Sequence, residues 1–171
     1  MEELSTIPTP CTTKIQALRD SIAQIIVGQT QATDLLLTSV IARGHVLIEG
    51  VPGVAKTLLA RVMAQLIDAR FSRVQFTPDL MPSDVLGTTV YNMKTGDFDF
   101  HPGPVFADVV LADEINRAPA KTQAALFEVM EERQVTVDGT PRAMSDVFTI
   151  IATQNPVEQE GTYKLPEAQL D

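Results

Sequence analysis

An eight-residue segment, Gly50-Val-Pro-Gly-Val-Ala-Lys-Thr57, constrains the fold of this chain more than any other feature. It follows a short apolar run, residues 45–49, and precedes apolar residues spaced as on an amphipathic helix. Gly50 and Gly53 can turn consecutive backbone N–H groups inward, and the helix that follows adds the positive end of its dipole. A glycine-rich loop between a strand and a helix predicts a phosphate-binding site.

The end of this loop carries the side chains that a phosphate site needs. We expect Lys56 to reach the β- and γ-phosphates of a nucleotide and the Thr57 hydroxyl to coordinate Mg²⁺. Ala55 departs from the strict pattern, because a third glycine usually precedes the lysine. The alternative is a chance Gly/Pro turn with a surface lysine, which the flanking strand and helix disfavour.

Two later apolar runs also end in polar residues. Residues 108–112 lead into Asp113 and Glu114, and residues 147–153 lead to Asn155. Ligands bind beyond the carboxyl ends of the strands in a doubly wound sheet, so we expect Asp113 to hold Mg²⁺ through water and Glu114 to orient the attacking water. Asn155 could hydrogen-bond the γ-phosphate or that water. The alternatives are a helix cap at Asp113 beside a solvated Glu114, and an ordinary turn at Asn155.

The rest of the chain alternates between helical and strand patterns. This alternation predicts a parallel α/β sheet with helices on both faces. The second helix is apolar around much of its circumference, which suggests burial on two sides, and Ala124, Phe127 and Met130 share one face of the last helix. Arg117 could contact a neighbouring subunit's nucleotide or pair with a local acid. The predicted helices cover residues 15–25, 29–43, 57–67 and 120–133, and hairpins are predicted near 90–100 and 134–145.

Composition limits the functional class. Thirteen Lys and Arg against 22 Asp and Glu give a net charge of −9, which disfavours a general binder of nucleic-acid backbones. Cys11 is the single cysteine, so no internal disulfide can form. The sequence begins without a signal-peptide pattern and holds no apolar run near the roughly 20 residues that span a bilayer. We therefore expect a cytoplasmic protein with no membrane span.

Five segments together resemble AAA+ ATPases and, more closely, the MoxR family. Ala55 supports this resemblance, since MoxR proteins usually carry alanine before the loop lysine. The match runs from about Ile15 to Asp171. The segments are Gly50-Val-Pro-Gly-Val-Ala-Lys-Thr57, Phe76-Thr-Pro-Asp-Leu-Met-Pro-Ser-Asp84, Leu111-Ala-Asp-Glu-Ile-Asn-Arg-Ala-Pro119, Met130-Glu-Glu-Arg-Gln-Val-Thr-Val-Asp-Gly139 and Ala152-Thr-Gln-Asn-Pro-Val-Glu-Gln-Glu-Gly-Thr-Tyr163.

The resemblance implies a P-loop NTPase fold of the AAA+ type. This is a three-layer αβα sandwich with a five-stranded parallel sheet and two β-hairpin inserts, named for helix 2 and for sensor 1. An irregular arm over residues 1–13 is expected before an ATPase domain over 14–171. The resemblance also implies that Asp171 lies before the last core strand, the helical lid, the second sensor and the arginine offered to a neighbouring subunit.

The same resemblance assigns site residues. Lys56 and Thr57 take the Walker A role, Asp113 and Glu114 the Walker B role, and Asn155 the first sensor. Glu114, Lys56 and Asn155 are the implied catalytic residues, and Thr57 and Asp113 the implied Mg²⁺ ligands. The backbone of residues 27–29 resembles the segment that packs on adenine. The implied nucleotide-binding residues are Val27, Gly28, Gly50, Val51, Pro52, Gly53, Val54, Ala55, Lys56, Thr57, Leu58 and Asp113.

The implied cofactors are ATP and Mg²⁺, and the implied assembly is a homo-oligomer, a hexameric ring. Family members are chaperone-like ATPases that mature client proteins together with partners bearing von Willebrand factor A domains. Without the arginine expected after Asp171, we predict weak hydrolysis by this chain alone.

Two other functions remain open. A nucleic-acid motor or loader on the same core predicts basic hairpin tips, whereas Lys94 and Arg142 are accompanied by Asp97, Asp99 and Asp138. A non-catalytic, nucleotide-gated interaction module predicts an unchanged physiological output when Glu114 is replaced.

Overall fold

A computed structural model describes residues 10–50 and 56–155 of the chain. Strands and helices alternate along it, as the sequence predicts. None of the described helices is long and apolar enough to cross a membrane. In chain order the elements are α1 (Pro10–Ile25), α2 (Thr30–Ile41), β1 (Val46–Glu49), α3 (Lys56–Leu66), β2 (Phe71–Gln75), α4 (Pro82–Leu86), β3 (Gly87–Asn92), β4 (Asp97–Pro102), β5 (Val109–Asp113), a 3₁₀ turn (Ile115–Arg117), α5 (Ala120–Glu132), β6 (Gln134–Val137), β7 (Thr140–Ala143) and β8 (Thr149–Gln154).

The central sheet is parallel, with the spatial order β1, β8, β5, β2. β8 is the last of these strands along the chain but lies between β1 and β5. The two inner strands, β5 and β8, are buried along nearly their whole length, and they read as near-continuous apolar runs because both sheet faces are covered. Four sheet strands fall within the described residues, and the fifth that the resemblance implies stays a prediction.

Helices cover both faces of this sheet, which makes three layers. Along β5, residues 109 and 111 face α1, α2 and α3, whereas residues 110 and 112 face α5, because alternate strand residues point to opposite faces. The first face packs Leu111 and Ile151 against Ile22, Leu36, Leu59 and Met63. The second packs Val110, Ala112 and Ile150 against Leu126, Val129 and Phe148.

Both predicted hairpins are present, as β3–β4 and β6–β7. Asp138 (φ 50°) and Gly139 (φ 73°) connect the second one, and positive φ at both central residues is typical of a type I′ turn. Gly87 (φ 98°) and Gly103 meet at the base of the first hairpin. A Cβ atom at Gly87 would overlap the backbone of residues 101–103, and one at Gly103 would overlap the backbone of residues 85–87, at the end of α4.

The structure corrects the expected helix at the amino terminus. The irregular arm was expected to reach residue 13, but α1 begins at Pro10, so residues 10–13 are helical. Proline is favoured in the first turn, because its missing N–H has no partner there and its φ already suits a helix. Residues 1–9 of the predicted arm lie outside the described range.

The structure corrects the predicted burial of α2 and shows which face of α5 is buried. Leu36 and Leu37 of α2 are buried, but Leu35 and Ile41 are each 60% exposed. This helix is therefore not buried on two sides. On α5 the buried face runs through Leu126 and Val129, Phe127 and Met130 are half-buried, and Ala124 is exposed. The side chain of Gln123, hydrogen-bonded to the 3₁₀ turn, fixes this rotation of α5.

Two short elements were not predicted. In α4, Pro82 occupies the first turn and the carboxylate of Asp84 accepts the backbone N–H of Met81 at 2.8 Å. The 3₁₀ turn at residues 115–117 follows directly after the acidic pair. Both elements are too short for a periodic pattern to identify them.

Candidate functional site

Three strands end together at one edge of the sheet. The register pairs Glu49 of β1 with Gln154 of β8, and Ala112 of β5 with Ala152 of β8, so their carboxyl ends are aligned. Lys56 begins α3 beside this edge. Its ammonium group donates to the carbonyl of Gly50 at 2.6 Å and to that of Gln154 at 3.4 Å. The lysine amine therefore lies where β1 and β8 both end.

Asp113, the last residue of β5, lies at the same edge. Its Oδ1 accepts a hydrogen bond from the hydroxyl of Thr153 at 2.6 Å. Its Oδ2 accepts from Arg73 of β2, at 2.6 Å from one terminal guanidinium nitrogen and 3.2 Å from Nε. Thr153 precedes Gln154, the residue that Lys56 contacts. Lys56 and Asp113 therefore bind consecutive residues of β8.

Glu114 has an uncommon backbone conformation. Its φ of 58° and ψ of 49° are left-handed, which costs a residue with a side chain roughly 1–2 kcal/mol. Its N–H donates to Thr153 Oγ1 at 3.0 Å, so one hydroxyl binds both acidic residues. The Glu114 carboxylate accepts from Gln75 Nε2 at 3.0 Å and lies 3.3 Å from an Arg117 guanidinium nitrogen. Strain of this kind concentrates at functional sites, where surrounding contacts maintain it.

The 3₁₀ turn after Glu114 is supported from beneath by a buried amide. Gln123 of α5 is 3% exposed, and its Nε2 donates to the carbonyls of Ile115 at 3.2 Å and Ala118 at 3.0 Å. These bonds hold the carbonyl of the first residue of the turn and that of Ala118, which follows its last residue. Because Arg117 lies within this turn, Gln123 also helps to position the cation next to Glu114.

The other predicted residues divide into three groups. Asn155 follows β8 at the same edge and is 9% exposed, and Thr57 is half-buried at the start of α3. Leu58 is 44% exposed, and Val27 in the α1–α2 connection is 88% exposed beside Gly28 (φ 81°). The contact of residues 27–28 with adenine stays a prediction. Val51, Pro52, Gly53, Val54 and Ala55 lie outside the described residues.

Sequence reasoning missed three residues that touch the acidic pair. Arg73, Gln75 and Thr153 became neighbours of Asp113 and Glu114 through the order and register of the sheet. One signal was available, because Arg73 and Gln75 alternate along β2 and must share a face. Which face that is, and what it meets, depends on pairing between distant strands.

The chemistry of these groups fits Mg²⁺ with a nucleotide. Among residues 10–50 and 56–155, no three His, Cys, Asp or Glu side chains form a cluster able to hold a metal ion. Mg²⁺ prefers hard oxygen ligands, keeps several waters and usually takes only one or two carboxylates, with phosphates supplying the remainder. A hydroxyl at Thr57, a carboxylate at Asp113 and an ammonium group at Lys56 suit that pattern.

Comparisons with known proteins agree with this geometry. The model of the ATPase family associated with various cellular activities (AAA) matches residues 45–171. The uncharacterised protein YeaC of Bacillus subtilis is 55% identical over 152 residues, which are 89% of this chain and 48% of that protein. The chaperone MoxR1 of Mycobacterium tuberculosis is 53% identical over 150 residues, 88% of this chain and 40% of that protein.

A solved structure shares the fold. The crystal structure of a protein from Cytophaga hutchinsonii, assigned as an ATPase, is 51% identical, with a TM-score of 0.83 over 92% of this chain and 48% of that chain. The parallel sheet, its flanking helices and these matches define an α/β fold of the P-loop class. Within that class, the chain belongs to the MoxR family of AAA+ ATPases. It spans about half the length of the relatives it matches.

Proposed function

We propose that this chain binds Mg·ATP at the carboxyl edge of its sheet and hydrolyses it to ADP and phosphate. One observation carries the proposal. Lys56, Asp113 and Glu114 are bound to Thr153 and Gln154, two consecutive residues of β8, so a cation and two acids meet at the end of one strand. Asn155 is the next residue along the chain.

Binding uses the groups around the phosphate loop. Lys56 exchanges its present carbonyl partners for β- and γ-phosphate oxygens, and the backbone N–H groups of the phosphate loop, which Pro52 lacks, supply further donors. Thr57 and Asp113 hold Mg²⁺, which neutralises charge on the phosphate oxygens when bound. Val27, Gly28 and Leu58 contribute contacts to the remainder of the nucleotide.

Hydrolysis uses Glu114 and Asn155. Glu114 orients the attacking water and takes its proton, and its left-handed backbone is maintained by the hydrogen bond from its N–H to Thr153. Gln75 and Arg117 hold the carboxylate at the edge, where the attacking water can donate to it. Asn155 donates to the γ-phosphate or to the same water.

At the level of the whole protein, we propose a homo-oligomeric ring, a hexamer, that remodels client proteins with von Willebrand factor A domain partners. Support comes from the 53% identity to a protein named a chaperone. Exposed apolar residues on the first hairpin offer a surface for polypeptide. They are Val90, Tyr91, Met93 and Phe98. Asp97 and Asp99 on the same hairpin disfavour nucleic acid.

Separating binding from turnover tests the proposal. Binding of a fluorescent ATP analogue and single-turnover hydrolysis would be measured for Glu114→Gln, Lys56→Ala and a control, Glu128→Gln, on the exposed side of α5. We expect Glu114→Gln to bind Mg·ATP and to hydrolyse it about 10²–10⁴-fold more slowly. Lys56→Ala should bind poorly, and the control should match the wild type. A Glu114→Gln variant with wild-type turnover would refute the catalytic assignment.

A further inference from the structure

The carboxylate of Asp113 is engaged on both oxygens. Thr153 donates to one, and the Arg73 guanidinium binds the other at 2.6 and 3.2 Å. Arg73 also donates to Gln75 Oε1 at 2.8 Å, so its planar group lies between these two side chains. Asp113, the residue proposed to hold Mg²⁺, is therefore already paired with a cationic side chain, that of Arg73.

Arg73 is placed so that this contact can be given up. Its side chain is 47% exposed, whereas that of Asp113 is 18% exposed. A long, half-exposed arginine loses little when it moves into water, because exposed ion pairs are weak. Asp113 cannot follow it, since β5 is an inner strand and Thr153 holds the other oxygen.

We propose that Arg73 is the resting countercharge of Asp113 and competes with the divalent cation for that carboxylate. The inference rests on the proposed function and adds a positioning residue to it. A bare pair of acids would repel an incoming triphosphate, and Arg73 reduces this repulsion. A bound Mg²⁺ repels the guanidinium and draws on the same carboxylate, so loading the metal releases Arg73 from Asp113.

Arg73 therefore has opposite effects on the two forms of the nucleotide. It favours binding of metal-free ATP and disfavours the additional binding that Mg²⁺ supplies. The quantity that reports both effects is the ratio of the dissociation constant in EDTA to that in Mg²⁺. A half-exposed ion pair changes an equilibrium by about two- to fivefold, and we expect Arg73→Gln to raise the ratio by that factor.

The experiment measures this ratio with a fluorescent ATP analogue on the purified protein. Arg73→Gln removes the charge, and Arg73→Lys keeps it without the planar guanidinium and should shift the ratio less. Arg70→Gln is the matched control, because Arg70 pairs with Asp108 at the other end of the same two strands. Its ratio should equal that of the wild type. Thermal unfolding confirms that each variant is folded.

The outcomes separate this inference from the proposed function. If the wild type binds no nucleotide in either condition, the proposed function fails. If the wild type binds and Arg73→Gln leaves the ratio unchanged, Arg73 is a structural partner only and the inference is overturned. A lower ratio in Arg73→Gln would mean that Arg73 assists the metal, which also overturns it.

Discussion

The β2–β5 strand pair carries an arginine–aspartate pair at each end, and the two are bound differently. At the amino end, Asp108 accepts the backbone N–H of Arg70 at 2.8 Å and two guanidinium nitrogens at 3.0 Å each. At the carboxyl end, the described hydrogen bonds to the Asp113 carboxylate come from side chains, those of Arg73 and Thr153.

The difference shows that the same kind of ion pair can either stabilise the fold or hold a ligand-binding side chain. A backbone donor cannot leave without distorting the strand, and Arg70 holds the pKa of Asp108 far below its ordinary value. Side-chain donors can be exchanged for a ligand at small cost. Asp108 therefore serves to stabilise the fold, whereas Asp113 can exchange its side-chain partners for a ligand.

Breaking the bridge at Thr153 should have the largest effect on the carboxyl end. Thr153→Val keeps the shape but removes the hydroxyl that accepts from Glu114 and donates to Asp113. We expect hydrolysis to fall by about 10–100-fold, as for other residues that orient metal ligands. Thr153→Ser retains the hydroxyl and serves as the control. A single-turnover rate for Thr153→Val close to the wild-type rate would contradict this role.

Replacing each aspartate with asparagine should show that Asp113 serves ligand binding and Asp108 serves stability. Asp113→Asn is expected to raise the dissociation constant of Mg·ATP about tenfold, with little change in thermal stability, because its charge is used for the metal. Asp108→Asn should do the reverse, leaving Mg·ATP binding intact and lowering the unfolding midpoint by roughly 2–4 °C. Equal losses of stability in the two variants would show that both pairs are structural.

A smaller effect, on the pH dependence of stability, should come from the amino end of the sheet. His45 lies at the amino end, where its Nδ1 accepts the N–H of Ile150 at 3.0 Å and its Nε2 donates to the carbonyl of Met130 at 3.2 Å. Burial is the main cause that lowers its pKa below 6.5, and the charge of Arg133 lowers it further. The folded state thus keeps His45 neutral at a pH where the unfolded state already binds a proton.

The stability that neutral His45 contributes is complete above about pH 6.5 and is lost as the pH falls below that value. Denaturant titrations from pH 7 down to about pH 5 should show this decline. His45→Asn keeps an acceptor near Nδ1 without the titration and should flatten the profile. If stability falls with pH equally steeply in the variant and the wild type, His45 does not cause the decline.

Local pattern predicted much of the fold. The strand before the phosphate loop, the helix after it, both hairpins and the acidic end of β5 follow from periodicity and turn residues, and the structure confirms these elements. Residues 51–55 of the loop itself lie outside the described range. The burial of α2 did not follow, because Leu35 and Ile41 lie on a side of the helix that no described element covers. The spacing of apolar residues shows how wide the apolar face of a helix is, but it does not show how much of that face other elements cover.

The partners of the acidic pair could not be predicted in the same way. Arg73 and Thr153 reach Asp113 from strands on either side of β5, across 40 residues of chain in each direction. The sheet order sets those distances, and it comes from long-range pairing. The sequence predicts a metal-binding role for Asp113 and a water-orienting role for Glu114, but it does not predict the side chains that the structure places against them.

The two glycines at the base of the first hairpin have an evolutionary consequence. The main chains of Gly87 and Gly103 touch with no room for a side chain, so close backbone packing helps to set the angle at which the hairpin leaves the body. Substitutions at Tyr91, Met93 or Phe98 can alter what the tip recognises without changing that angle. Selection is therefore free to diversify the tip, while any residue larger than glycine at the base would displace the hairpin as a whole.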